Sequence, residues 1–140
     1  MSGANDSFRE LLLTVVGQAF TAAGYDLIDQ PMKWANGQFR FSKALPDGKI
    51  ATIEFQHLTY ADTEWASGNP SRFKVSLARS DGLKRDLSAL VVTDFGVGIL
   101  PSASHWWTYR DIASLGRALG EAGSLAVAYG MPWLTGELSP

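Results

Sequence analysis

The two histidines of this chain are the first candidates for chemistry, because imidazole is the usual acid, base or metal ligand in a protein that has no cysteine. His57 follows Ile53 and Phe55 at steps of two, so a strand would place all three side chains on the same apolar side. Glu54 points to the other side, and His57 and Glu54 therefore cannot bind one metal ion without a bulge. The pattern favours a core histidine that is held by hydrogen bonds.

An acid–base pocket around His57 is the competing interpretation. Asp62 and Glu64 follow in a stretch, residues 61–71, that contains Gly68-Asn69-Pro70 and is typical of a loop. Either carboxylate would complete a proton-transfer pair with His57 if this loop folded back over the end of the strand. If the protein is an enzyme, we expect its catalytic residues to be His57, Asp62 and Glu64.

Trp65 and His105 are candidates for binding outside the strands. Trp65 lies in the same loop, where no alternation predicts its burial, so its indole would either anchor a partner or flat ligand or cover an edge of the core. His105 stands before Trp106 and Trp107 near the start of the final helix, where free N–H groups attract anions. Packing of the two indoles against the core is the structural alternative.

A small basic cluster offers another binding surface. Arg72 and Lys74 are separated by one residue, so both would lie on the solvent-facing side of their strand, beside Arg40. Such a surface suits an acidic partner or a phosphate, although cations on a sheet are also ordinary solvated side chains. The formal charge of -2, from 12 Lys and Arg against 14 Asp and Glu, gives no general attraction for nucleic acid, and we expect none to bind.

The absence of cysteine excludes disulfides, thiolate zinc sites and thiol nucleophiles, and it fits a reducing cytoplasm. A site built on two histidines would need carboxylates that the spacing does not supply, so we predict neither a metal nor a cofactor. The apolar stretch at residues 11–16 is too short to cross a bilayer, and acidic residues precede it where a signal peptide has basic ones. We expect a cytoplasmic protein that does not bind membranes.

Two amphipathic helices must position these side chains. The first has apolar residues at helical spacing from Phe8 to Ala23. Ser7 and Glu10 form a capping-box pattern at its start, and Gly24 is expected to end it.

The second helix begins near Thr108, which stands three residues before Asp111 as a capping pair, and it is expected to end at residues 130–132, where a glycine and a proline stand. Gly116 and Gly120 lie one turn apart inside it, where each costs about 1 kcal/mol relative to alanine. Close approach of the helix to the sheet would explain them, and a homodimer contact is the alternative.

Between the helices, apolar residues alternate with polar ones and turn residues recur, a pattern typical of an antiparallel meander. Asn36-Gly37 is expected to join the first two strands as a tight hairpin. The predicted strands are residues 27–34, 38–45, 49–60 and 72–77, with the β-branched run at 91–93 as the basis of a fifth. We therefore predict an α+β fold: an antiparallel four- to five-stranded meander sheet with N-terminal and C-terminal helices packed on one face, in a single domain over residues 1–140.

Short segments spread over most of the chain support a resemblance to a known family. They are the opening helix running into Ala23-Gly24-Tyr25, the hairpin at 34–43, the strands at 53–56 and 72–75, Trp106-Trp107, and the ending at 129–134. In these segments the chain resembles a family of small, mostly bacterial proteins known as domain of unknown function 4304. The resemblance implies a bacterial α+β domain and carries no catalytic residues.

Three functions remain open. The first is a non-enzymatic binding or interaction domain, monomeric or homodimeric, that uses the Trp65 loop and the free sheet face to bind another protein or a small ligand. The second is a small enzyme or small-molecule-binding protein with an acid–base pocket around His57. The third, disfavoured by the charge, is a nucleic-acid module built on Arg72, Lys74 and 84–85.

Overall fold

The computed structural model of the protein describes residues 4–58 and 71–140. Within these two ranges, six strands form one sheet, with helical segments before, within and after it. The strands are β1 (Asp26–Leu27), β2 (Gln38–Ala44), β3 (Ile50–Leu58), β4 (Ser71–Arg79), β5 (Lys84–Asp86) and β6 (Trp107–Tyr109). The α-helices are α1 (Ala4–Leu12), α2 (Gln18–Ala22), α3 (Pro31–Ala35), α4 (Leu87–Ala89), α5 (Ile112–Leu125) and α6 (Met131–Thr135), and π-helical segments occupy Leu13–Gly17, Leu90–Asp94 and Ala126–Gly130.

The sheet is an antiparallel meander in the order β1-β2-β3-β4-β5, and β6 also pairs with β4. Two short strands share the far edge of β4: β6 pairs with residues 71–73 and β5 with residues 76–78. Lys74 and Val75 lie between these paired stretches. The predicted α+β class and the antiparallel meander are confirmed.

The sheet has one sealed face, on which side chains of both terminal helices pack. In β3, every second residue from Ala51 to His57 is buried, and the residues between them are partly exposed. Gly130 lies against Leu77 of β4, so the C-terminal helix contacts the same face as the N-terminal one. The aromatic contacts that join the N-terminal helix to this face are Phe8 with Phe39 and Phe73, and Phe20 with Phe41 and Phe55.

The N-terminal helix begins earlier than its sequence signal. It already includes Ala4, so Ser7 lies inside α1 and the predicted capping box of Ser7 with Glu10 is wrong. The predicted end is confirmed: Gly24 has a φ of 92°, in the left-handed region that glycine adopts without strain.

The C-terminal helix begins later and ends later than predicted. Asp111 is its N-cap, and it forms a capping box with Ser114, whereas Thr108 lies in β6. The helix runs through residues 130–132 and stops at Gly136, which has a φ of 83°. Gly130 is buried, and a Cβ there would lie 3.1 Å from Leu77 Cδ2, so this glycine permits close packing and does not end the helix.

Two stretches that the alternation assigned to strands are helical. In the stretch predicted as a strand over residues 27–34, only the short strand Asp26–Leu27 pairs in the sheet. Helix α3 follows it, with Pro31 in the first turn, where the missing backbone N–H of proline costs little. Asn36 and Gly37 therefore end a helix and do not form a two-residue hairpin. The run at 91–93 lies in the π-helical segment after α4, where burial of Leu87 and Leu90 outweighs the preference of β-branched residues for strands.

Close approach of α5 to its neighbours occurs at one glycine that the sequence did not single out. A Cβ on Gly123 would lie 2.6 Å from Val16 Cγ1, so α5 packs tightly on the N-terminal helix there. Gly116 and Gly120 have open space where a Cβ would stand, and the prediction that close packing explains them is wrong. Of the helices in the described ranges, none combines the length and apolar character needed to cross a membrane.

Candidate functional site

The face of the sheet opposite the sealed one, which we call the open face, carries polar side chains that strand register arranges in rows. Arg40 of β2 lies opposite Glu54 of β3, Glu54 lies opposite Ser76 of β4, and Ser76 lies opposite Asp86 of β5. This central row therefore alternates a guanidinium, a carboxylate, a hydroxyl and a second carboxylate across four strands. A second row runs parallel to it through Ser42, Thr52, Ala78 and Lys84.

The central row, together with Thr52, Ala78 and Lys84 of the second row, lines a cavity of about 690 Å³. Ile28, which follows β1, and Ala89 of α4 also line this cavity. The volume lies within the range of small-molecule sites, and the lining includes cations, carboxylates and hydroxyls. We call this cavity the sheet groove.

Arg40 is held in the sheet groove through one nitrogen. Its Nε donates to Glu54 Oε1 at 2.5 Å, and the two side chains are 34% and 20% exposed. Within the described residues, the terminal Nη atoms of Arg40 have no hydrogen-bond partner. Glu54 thus fixes the orientation of the guanidinium and leaves its outer N–H groups for an acceptor from solution.

The opposite side of the sheet groove contains three charged residues that differ in how far the fold satisfies them. Arg85 donates two hydrogen bonds to Asp94, at 2.9 and 2.8 Å, and this pairing raises the pKa of Arg85. Asp86 accepts one hydrogen bond from Ser76 Oγ at 3.3 Å. Lys84 is exposed and forms no ion pair with any residue in the described ranges. Asp86 therefore keeps a hydrogen-bond acceptor, and Lys84 keeps its ammonium donors, for contact with a ligand.

Arg72 and Lys74 lie on the open face beyond the sheet groove, on the side predicted from their spacing. Both pack on the indole of Trp106, with Arg72 Cζ 4.5 Å and Lys74 Nζ 5.3 Å from the ring centroid. These cation–π contacts occupy part of both side chains, so the pair is less available to an acidic partner than isolated cations would be.

His57 lies on the sealed face and is 2% exposed. Its ring stacks on Phe8 with centroids 4.2 Å apart, Nδ1 is 2.8 Å from Asn5 Oδ1, and Nε2 is 2.5 Å from Tyr109 Oη. Asn5 Nδ2 donates to the carbonyl of Ala35, which leaves Asn5 Oδ1 as an acceptor. The neutral ring therefore donates from Nδ1 and accepts the Tyr109 hydroxyl proton at Nε2. Burial lowers the pKa of His57 to about 4, so the ring is neutral at pH 7.

Asp62, Glu64 and Trp65 lie outside the described residues. His105 is half-buried with its ring against the edge of Trp107, and burial lowers its pKa.

The start of α5 does not offer His105 an anion site. Asp111 already accepts the backbone N–H of Ser114 there. Trp107 is buried, stacks on Phe73 and donates to Glu121 at 2.8 Å, which matches the structural alternative for this indole.

The sequence missed the central row of the sheet groove. Alternation places Arg40 and Glu54 on the open face, but it contains no signal that Ser76 and Asp86 continue the same row. In the described ranges, no group of three or more His, Asp and Glu side chains is arranged to bind a metal ion.

The fold and this surface define an α+β domain with one sealed and one open sheet face. Comparison with known proteins adds no relative: no family model, no curated protein and no solved structure matches the chain.

Proposed function

We propose that the protein is a non-catalytic binding domain and that its ligand or partner docks in the sheet groove on the open face. The observation that carries this proposal is the state of Arg40, which is oriented by Glu54 while its outer N–H groups have no acceptor in the described chain. Because the side chain is 34% exposed, these N–H groups bond to water in the free protein, and an acceptor from a ligand can replace that water without breaking a contact of the fold.

The enzyme alternative depends on His57 and receives less support. Both ring nitrogens are engaged, by Asn5 and Tyr109, and the ring is stacked on Phe8. Neither the sheet groove nor the apolar groove between the helices, of about 400 Å³, is lined by His57. A base needs access to the proton that it removes, and this ring has its acceptor nitrogen occupied by a protein hydroxyl.

We further propose that the protein acts in the bacterial cytoplasm and belongs with the domain of unknown function 4304 family. The cysteine-free composition and the short sequence patterns described above support this setting. The proposed partner is another protein or a small molecule, and the chain acts as a monomer or homodimer without binding nucleic acid.

The test maps binding without knowing the ligand. Isotope-labelled protein is mixed with the small-molecule fraction and, separately, with the protein fraction of a bacterial extract, and backbone amide shifts are recorded by NMR. We expect the amides of Glu54, Ser76 and Asp86 to shift, and these shifts to disappear in Arg40→Gln. The control is Arg117→Gln, which removes the same charge at an exposed position of α5 and should leave the shifts unchanged. Shifts confined to Asn5, His57 and Tyr109 would contradict the proposal and favour the enzyme.

A further inference from the structure

We infer that the sheet groove binds a small zwitterion, an amino acid or short peptide with free termini, whose carboxylate contacts Arg40 and whose ammonium group contacts Asp86. This inference rests on the proposed binding role of the groove and names its ligand class. It follows from three features of the central row: the order of its charged residues, the donors and acceptors that these residues do not use within the fold, and the spacing between them.

Arg40 supplies the carboxylate end. With Nε already donating to Glu54, the guanidinium presents its Nη edge, whose parallel N–H groups match the two oxygens of a carboxylate. The side chain is 34% exposed, so part of its hydration has already been removed and less ordering is required when an anion binds.

Asp86 supplies the ammonium end. One carboxylate oxygen accepts the Ser76 hydroxyl. Arg85 attracts Asp86 electrostatically but donates its hydrogen bonds to Asp94, and no cation of the described residues lies within ion-pair distance of Asp86. Asp86 is partly buried and lines the groove. An ammonium group from a ligand would satisfy this carboxylate with a charge-assisted hydrogen bond.

The spacing of the row suits a ligand of about one or two residues. Arg40 and Asp86 are three strand positions apart, and because the guanidinium lies beside Glu54, roughly two spacings, about 10 Å, remain to Asp86. The termini of an extended dipeptide are separated by roughly 6 Å, and a hydrogen bond of about 2.8 Å at each end gives a span of roughly 11–12 Å, so a dipeptide would bind with its backbone slightly bent. Ser76 lies between the two ends, where its hydroxyl can meet the peptide group.

The charge balance favours a ligand with both signs over an anion. Asp94 neutralises Arg85 through two hydrogen bonds. The other charged residues that line the groove are two cations, Arg40 and Lys84, and two carboxylates, Glu54 and Asp86, so their charges sum to zero. A phosphate or a dicarboxylate would bring two negative charges beside two carboxylates, whereas a zwitterion adds none.

The experiment is an NMR titration with three mixed-sequence dipeptide libraries: one with free termini, one N-acetylated and one C-amidated. We expect the free library to shift the amides of Glu54, Ser76 and Asp86, and each blocked library to bind about tenfold more weakly or worse. Arg40→Gln should weaken the free library by a similar factor, whereas Arg117→Gln should not change it.

Asp86→Asn provides a second variant in case Arg40→Gln perturbs the fold. It should weaken the free library about tenfold but leave the N-acetylated library unchanged, because that library has no ammonium group to lose. Equal effects on both libraries would overturn the assignment of Asp86.

The remaining outcomes separate this inference from the binding role. If inorganic phosphate or citrate binds more tightly than the free dipeptides, the groove is an anion site and the zwitterion is wrong. If an extract shifts the groove amides and the dipeptides do not, the proposed binding role is supported and the proposed ligand class is wrong. If neither the extract nor the dipeptides shift these amides, both the binding role and the ligand class are wrong.

Discussion

The two faces of the sheet use polar side chains in opposite ways. On the sealed face, His57 has a partner for each ring nitrogen, and Asn5 is itself fixed by the carbonyl of Ala35. On the open face, Arg40 and Asp86 each have one contact and keep further donors or acceptors free within the described structure. The number of hydrogen-bonding atoms that have a partner within the fold therefore distinguishes a structural polar side chain from a candidate binding side chain better than the residue type does.

Neighbouring positions of β3 give the strongest test of this difference. Phe55→Ala removes a fully buried ring and should lower the free energy of unfolding by about 3–5 kcal/mol, while Gln56→Ala, on the open face, should change it by less than about 0.5 kcal/mol. Urea unfolding followed by tryptophan fluorescence measures both. Equal losses would mean that the open face is also part of the core.

A glycine beside His57 should have the next largest effect. A Cβ on Gly37 would overlap the carbonyl oxygen of His57, and Gly37 has a φ of 80°, so Gly37→Ala should cost about 3 kcal/mol. Gly82→Ala is the matched control: its φ is 100° with open space around it, and only the backbone cost of about 1–2 kcal/mol applies. Thermal unfolding compares the two, and similar losses would argue against close packing at His57.

The pH dependence of stability should identify His57 as a buried neutral group. Because its pKa falls from 6.5 to about 4 on folding, the unfolded chain binds the proton more readily between these values. Stability is therefore complete above about pH 6.5 and decreases as the pH falls towards 4, by a total of about 3 kcal/mol.

Unfolding measured at about pH 7.5 and about pH 4.5 tests this dependence. His57→Gln should lose less stability on acidification than the wild-type protein, whereas half-buried His105→Gln should lose nearly as much as the wild type. Identical pH profiles for wild type and His57→Gln would show that the ring is accessible to solvent.

The smallest effect on stability is expected on the open face. Glu54→Gln removes a partly exposed ion pair and should cost less than about 1 kcal/mol, yet it should weaken dipeptide binding because Arg40 loses its orientation. Asp81→Asn, which breaks the ion pair with Arg79 near the β4–β5 turn, should cost a similar amount and leave binding unchanged. A binding loss in both variants would point to a general effect of charge.

The division into a sealed and an open face was predictable, because a period of two is a local property of each strand. The partners of His57 were not: Asn5 and Tyr109 are each 52 residues away in sequence, and only the packing of helix α1 and strand β6 brings them together. The central row likewise depends on the register of four strands, which loop lengths and core packing determine.

Local signals failed where tertiary contacts competed with them. Thr108 has the sequence pattern of a helix cap, but it pairs with Arg72 in the sheet, and the cap moves to Asp111. The β-branched run at 91–93 has the composition of a strand, but its neighbours bury one side of a helix. In both cases, long-range packing outweighed a preference of about 1 kcal/mol or less.

The division of the far edge of β4 between β5 and β6 also affects how the sheet meets other chains. An incoming strand would find only three residues of β5 or three of β6 on that side and two residues of β1 on the other, within the described sheet. Such short edge strands offer few backbone hydrogen-bonding groups to an added strand. The domain can therefore expose a broad polar sheet face with little tendency to aggregate by strand pairing.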